Sequence, residues 1–84
     1  MVVKQVIRSE EFKQRFKKIK DRKSREILKK HIQKLCENPE LGKPLEGTYK
    51  GVRSERVGPF RLLYALKGET LYLVRFRHRK KAYK

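Results

Sequence analysis

An α+β fold is predicted, in which an N-terminal strand and a two-helix antiparallel hairpin precede a three-stranded antiparallel meander, with the helices packed on one face of the sheet. Three observations predict it. The first residues are β-branched, the next thirty or so carry apolar positions at helical spacing, and the second half holds strongly β-forming runs punctuated by Gly and Pro.

Val2 to Ile7 reads as the first strand. Ser9 follows as an N-cap, since its hydroxyl can accept an orphan backbone N–H, and Glu10 and Glu11 suit the positive end of a helix dipole. Phe12, Phe16 and Ile19 then fall on one stripe, with Lys13, Lys17, Lys18 and Lys20 around it. Asp21 or Ser24 can cap a second helix whose stripe is Ile27, Leu28, Ile32, Leu35 and Cys36; His31 belongs to the edge of that stripe. Glu37-Asn38-Pro39 ends the helix, because a proline pushes the residue before it out of the α region. Pro39, Gly42, Pro44 and Gly47 make the next stretch irregular.

Tyr49 to Val57 is a strand with broken alternation, consistent with a bulge, and Gly58-Pro59 turns the chain. Phe60 to Leu66 and Thr70 to Arg77 are the clearest strands, joined through Lys67-Gly68-Glu69 as a hairpin. With Gly68 and Glu69 at the centre of the turn, Arg61 falls opposite Phe76, and Arg75 and Arg77 lie on the other face; a one-residue slip reverses this. Residues 1–84 read as a single domain, without repeats or a linker.

Composition narrows the function. Twenty-five Lys and Arg against nine Asp and Glu leave a net charge of +16, which a polyanion would neutralise: RNA, DNA or an acidic protein. A chain this short hides only about 60% of the surface its unfolded form exposes, so a shallow site is expected. The one cysteine, Cys36, makes neither an intramolecular disulfide nor a zinc cluster, and a reducing cytoplasm fits best. No apolar run approaches the roughly 20 residues of a membrane span, and no signal peptide is visible. The acids do not cluster for magnesium and no Gly-rich phosphate loop is present, so neither metal nor cofactor is expected.

The densest functional signal is the last ten residues, Arg75 to Lys84, with three Arg, three Lys, His78 and Tyr83. Cations alternating with rings can contact phosphates while a ring stacks on a base. Arg61 opens a strand between Phe60 and Leu62, where a guanidinium needs an anion or a carboxylate to meet; a phosphate, or pairing with Glu55 or Glu69, answers equally well. His78, between Arg77 and Arg79, is the candidate for exchanging a proton.

The run Asn38-Pro39, Gly42-Lys43-Pro44-Leu45, Gly47, Tyr49-Lys50-Gly51, Arg53-Ser54, Arg56-Val57-Gly58 and Phe60-Arg61-Leu62-Leu63-Tyr64, with His78-Arg79 and Tyr83, resembles the RelE/ParE superfamily of toxins from toxin–antitoxin pairs. The likeness spans essentially the whole chain. It implies two helices against a twisted antiparallel sheet. RelE-like members are ribosome-dependent endoribonucleases that cut mRNA in the decoding site, silenced by an antitoxin that wraps around them. The implied reaction is attack of a ribose 2′-OH on the adjacent phosphorus with expulsion of the 5′-oxygen, which needs a base, an acid and cations.

By the match, Arg61 resembles the strand arginine that holds the scissile phosphate, and Arg77 or Arg79 stands in the region of a second catalytic arginine. Tyr83 resembles the C-terminal tyrosine that stacks on or polarises the nucleotide, leaving His78 as base or acid. RelE-like nucleases place alternating lysines on the second sheet strand, where this sequence has Val52 and Ser54; Lys50, Arg53 and Arg56 are the nearby cations, with Arg77, Lys80 and Lys81 in the tail as further phosphate contacts. The departure keeps open the ParE-like branch, which inhibits DNA gyrase by binding, and a non-catalytic basic nucleic-acid-binding protein. Expected partners are an antitoxin with an acidic or amphipathic segment and mRNA on the ribosome, with no membrane.

Overall fold

The computed structural model describes residues 3–45, 47 and 51–78. In chain order these form β1 (Gln5–Arg8), α1 (Glu10–Lys18), α2 (Arg22–Glu37), β2 (Lys43–Pro44), β3 (Val52–Val57), β4 (Phe60–Lys67) and β5 (Thr70–His78). The five strands make one sheet in the order β1-β5-β4-β3-β2, antiparallel except for the parallel pair β1 and β5. The predicted fold class is therefore observed. No helix among the described residues is long and apolar enough to cross a membrane.

The caps behave as their chemistry dictates. Ser9 is extended, and its hydroxyl oxygen accepts the Phe12 N–H at 3.0 Å. At the start of α2 the Asp21 carboxylate accepts from Lys23 N–H at 3.2 Å and from the Ser24 hydroxyl at 2.8 Å. Those bonds, the Ser24 hydroxyl foremost, hold its carboxyl below the ordinary carboxylate value. Between the helices, Arg25 Nε donates to the Ile19 carbonyl at 2.7 Å.

α1 packs over β5 and α2 over β3. Between helices and sheet lie Phe12, Leu28, Leu35, Val57, Phe60, Leu62, Tyr64, Leu71, Leu73 and Phe76, all buried. Phe76 sits edge-on to both Phe12 and Phe60, at 5.0 and 5.2 Å between centroids, an arrangement that aligns ring edges with ring faces. The Tyr64 hydroxyl is buried with them and makes two bonds, donating to the Pro39 carbonyl and accepting the Gly42 N–H, each at 2.8 Å. It thereby ties the segment after α2 to the sheet. Gly42 has to be glycine for space: a Cβ there would lie 2.7 Å from the Tyr64 hydroxyl and 3.0 Å from the Ser54 carbonyl.

Three details differ from the sequence expectation. The two-residue strand β2 was not expected in a Gly- and Pro-rich stretch; Pro44 is tolerated because β2 is a sheet edge, where a missing N–H interrupts no inner ladder. β3 begins at Val52, while Tyr49 and Lys50 lie outside the described residues. The third detail sets the site. The β4–β5 turn has Gly68 and Glu69 at its centre, as expected, with Lys67 opposite Thr70. The pairing then shifts: Tyr64 faces Leu73 but Leu63 faces Arg75, leaving Val74 as the extra residue of a bulge. The Ser9 hydroxyl donates to the Val74 carbonyl, so the bulge leaves no orphan acceptor there. From that point Arg61 is opposite Arg77 rather than Phe76, and Phe76 joins Leu62 in the core.

Candidate nucleic-acid interface

Side chains alternate along a strand, and directly paired residues share a face. With Phe60, Leu62 and Tyr64 facing the helices, Arg61 and Leu63 face away. The register then draws a row across three neighbouring strands: Arg56 of β3 pairs with Arg61 of β4, which pairs with Arg77 of β5. All three are exposed. A second row beside it carries Lys43, Ser54, Leu63 and Arg75. Among the described residues, the registers put no Asp or Glu on this face.

Neighbouring strands lie about 4.8 Å apart, so three guanidinium stems start at close quarters, and like charges directly opposite one another destabilise a sheet. An anion lying across the row converts that repulsion into shared attraction. Arg61 Nη1 donates to the Ser54 hydroxyl at 3.2 Å, which fixes one side of the fork and leaves the remaining N–H groups for a ligand. Ser54 is 8% exposed, a polar side chain buried beneath the arginine it orients. Lys43, Pro44, Leu45, Ser54, Glu55, Arg56 and Arg61 line a depression of about 400 Å³; one Glu55 carboxylate oxygen accepts the Arg56 N–H at 3.2 Å and the other lies 3.8 Å from His31 Nε2. This floor, open to solvent and rimmed by cations, can bind a phosphate and stabilise negative charge growing on it.

The expected site residues divide accordingly. Arg56, Arg61 and Arg77 come together. Arg53 does not join them: it sits on the helix-covered face, and Nη1 donates to the Gly42 carbonyl at 2.7 Å and the Glu40 carbonyl at 3.4 Å. It helps hold the loop that Tyr64 holds. His78 pairs with Phe60 and meets its ring edge-on at 5.8 Å, on the face opposite Arg61. The alternation that brings Arg77 into the row sends His78 away from it. Lys50, Arg79, Lys80, Lys81 and Tyr83 lie outside the described residues.

Sequence reasoning passed over Lys43, Ser54 and Arg75 as members of this face. The signal available was the period-two spacing of Ser54 and Arg56, which needed the β3–β4 register to be read. His31 lies where the sequence put it, at the edge of the core, with Nε2 3.8 Å from a Glu55 carboxylate oxygen. No group of three or more His, Cys, Asp or Glu among the described residues could hold a metal ion.

No curated protein matches the sequence. Among solved structures, the chain is similar to one chain of the RelBE2 toxin–antitoxin complex from Mycobacterium tuberculosis, at 28% identity and TM-score 0.79, covering 94% of each chain. It shares its fold with a chain of the RelB–RelE antitoxin–toxin complex from Methanococcus jannaschii (23% identity, TM-score 0.72, 92% of this chain and 94% of that one). The same holds for a chain of a chromosomal ParDE system from P. aeruginosa (15% identity, TM-score 0.70, 88% and 94%). The sequence pattern of the ParE toxin of the type II toxin–antitoxin system parDE matches residues 6–83. With nearly its full length matched to that pattern, and its fold shared with RelE and ParE toxins alike, the chain belongs to the ParE toxin family, within the RelE/ParE superfamily of toxin–antitoxin toxins.

Proposed function

We propose that this toxin is a metal-independent endoribonuclease that cuts mRNA on the ribosome, in the cytoplasm, and that an antitoxin with an acidic or amphipathic segment silences it. The observation that carries the reading is the Arg56–Arg61–Arg77 row, three cations in register on a face to which the strand registers assign no Asp or Glu among the described residues. Attack of the 2′-oxygen puts extra negative charge on the phosphate oxygens before the 5′-oxygen departs. Guanidinium groups that stay protonated and are already oriented stabilise that charge without reorganising. Arg61, held by Ser54, is the clamp on the scissile phosphate, with Arg56 and Arg77 as its flanks. In line with the RelE-like resemblance, Arg79 adds a second catalytic arginine, Tyr83 stacks on or polarises the nucleotide, and Lys50, Lys80 and Lys81 contact flanking phosphates. His78, on the covered face, is left out of the chemistry.

The test is primer extension on mRNA bound to translating ribosomes, with purified toxin and excess EDTA. Cuts should persist in EDTA, and Arg61→Ala should lower their rate by about 100-fold or more, the usual cost of losing one preorganised charge-stabilising group. A second reading, inhibition of DNA gyrase by binding, is favoured by the ParE family match itself. Intact mRNA together with stalled DNA supercoiling would replace the first reading with the second.

A further inference from the structure

At the far end of β5 the basic face turns a corner. β1 ends at Arg8, opposite Leu73, so the stretch from Arg75 to His78 runs on with β4 on one side and no strand on the other among the described residues. There, between the α1–α2 turn and the ends of β4 and β5, a groove of about 500 Å³ opens on the covered side of the sheet. Its floor is apolar, formed by Phe60 and Phe76, and the exposed His78 stands at its lip. Exposed Lys18 and Lys20 edge it, and no acid pairs with either among the described residues. The acid in the groove, Asp21, is engaged at both carboxylate oxygens by the α2 cap. Arg77 belongs to both sites, as a wall of this groove and as the register partner of Arg61.

We propose that this groove is a second binding site for the RNA strand that the Arg61 face engages, taking a flanking nucleotide whose phosphate lies between Lys18 and Lys20 and whose base rests against His78. The inference rests on the proposed RNA-cleaving function. An apolar floor beside cations, with an aromatic plane at the lip, is the chemistry that holds single-stranded nucleic acid without reading its sequence. Arg77 gives the strand a continuous cationic path from one face to the other.

The test measures binding of 2′-O-methyl oligoribonucleotides, which lack the attacking hydroxyl, at lengths of about three and about twelve nucleotides over a series of salt concentrations. Lys18→Gln/Lys20→Gln should weaken binding of the longer strand about tenfold at low salt. It should also flatten its log–log salt slope by about 0.7, the contribution of the one phosphate that no longer meets the two lysines. The short strand, filling the Arg61 face alone, should bind the variant as it binds the wild type. Lys30→Gln/Lys34→Gln removes the same charge from positions that do not line the groove and should leave both strands nearly unaffected. Equal losses for the two lengths, equal losses in the two double variants, or no loss for the longer strand would each overturn the inference. Arg61→Ala separates the two levels: if it weakens both lengths while the Lys18/Lys20 variant weakens neither, the second site fails and the RNA reading stands. If the wild type binds neither strand, both fail.

Discussion

Arg61 and Tyr64 are three residues apart on β4 and belong to opposite regimes. The Tyr64 side chain is fully buried, and its hydroxyl bonds are both internal, to the Pro39 carbonyl and the Gly42 N–H. Arg61 is exposed, its one described hydrogen bond is to Ser54, and its nearest register partners are two more arginines. The same contrast separates the two faces of the sheet. On the helix side and at the sheet edges, most carboxylates have a partner within the fold: Glu10 with Lys13, Glu11 with Arg15, Glu26 with Lys29, Glu69 with Lys4, Glu55 with the Arg56 N–H, and Asp21 at the start of α2. By register none of them falls on the open face among the described residues, and Glu55 is the acid that reaches its depression. Polar groups on one side are for the most part satisfied within the fold, the buried His31 Nε2 being the exception among the described residues, and on the other they are arranged to be satisfied by something that binds.

The largest expected effect breaks the comparison at Arg61. Arg61→Ala should abolish most mRNA cleavage while leaving thermal stability unchanged or slightly raised, because it removes the middle charge of a like-charged row. A clear fall in melting temperature would mean that the open face is structural after all.

Next comes the mirror experiment. Tyr64→Phe keeps the ring and strands a buried carbonyl and a buried N–H, which should cost roughly 2 to 6 kcal/mol in denaturant unfolding, at about 1 to 3 for each unsatisfied group. The effect depends on pH. Burial raises the Tyr64 phenol above its ordinary value of 10.0, so the folded state holds this proton more tightly than the unfolded chain does. The stabilisation is complete below about pH 10 and is lost as pH rises through the folded-state value. The stability curves of wild type and Tyr64→Phe should therefore converge at alkaline pH; parallel curves would contradict the assignment.

How much of this was legible in the sequence follows from the same two residues. Helix stripes, caps and the Gly68-Glu69 turn are local, and they predicted the element order. The face of Arg61 relative to the tail depended on Val74, whose bulge is stabilised by Ser9 from 65 positions away, a contact that no local pattern carries. β3 was opaque for another reason. Val52 and Val57 fall on opposite faces, so hydrophobic alternation could not say whether Arg53 or Arg56 looked outward. The structure turns Arg53 toward the loop carbonyls and Arg56 into the row. The tail's cationic and aromatic density was plain from composition, and its first arginines are those the register brings beside Arg61.

A subtler break is at Ser54, where the two regimes meet. Its hydroxyl is buried under the open face and accepts from Arg61. Ser54→Ala should slow cleavage by roughly threefold to tenfold, about the 0.5 to 1.5 kcal/mol of one hydrogen bond, mainly in kcat, with Ser54→Thr restoring much of it. A variant that raises KM alone would make Ser54 part of ground-state binding and not an orienter of the clamp.

The smallest effect concerns the acid closest to the second groove. Asp21 is drawn below its ordinary value of 3.8, first by the Ser24 hydroxyl and then by the Lys23 N–H, so the charged form is the one the cap prefers. A depressed carboxylate contributes stability above the unfolded-state value and loses it as pH falls through the folded-state value. Asp21→Ala should accordingly lower the melting temperature slightly near neutral pH and by less once the wild-type carboxylate is protonated, when only its neutral capping oxygen remains to be lost. Asp21→Asn, which keeps a capping oxygen without the charge, separates the two roles of this residue. It should retain most of the helix cap. By removing the one carboxylate in the groove, it should also tighten binding of the longer oligonucleotide modestly and leave the short one unchanged. Tighter binding of both lengths would mean that Asp21 acts only through the overall charge of the chain, and that the groove is not a separate site for a strand.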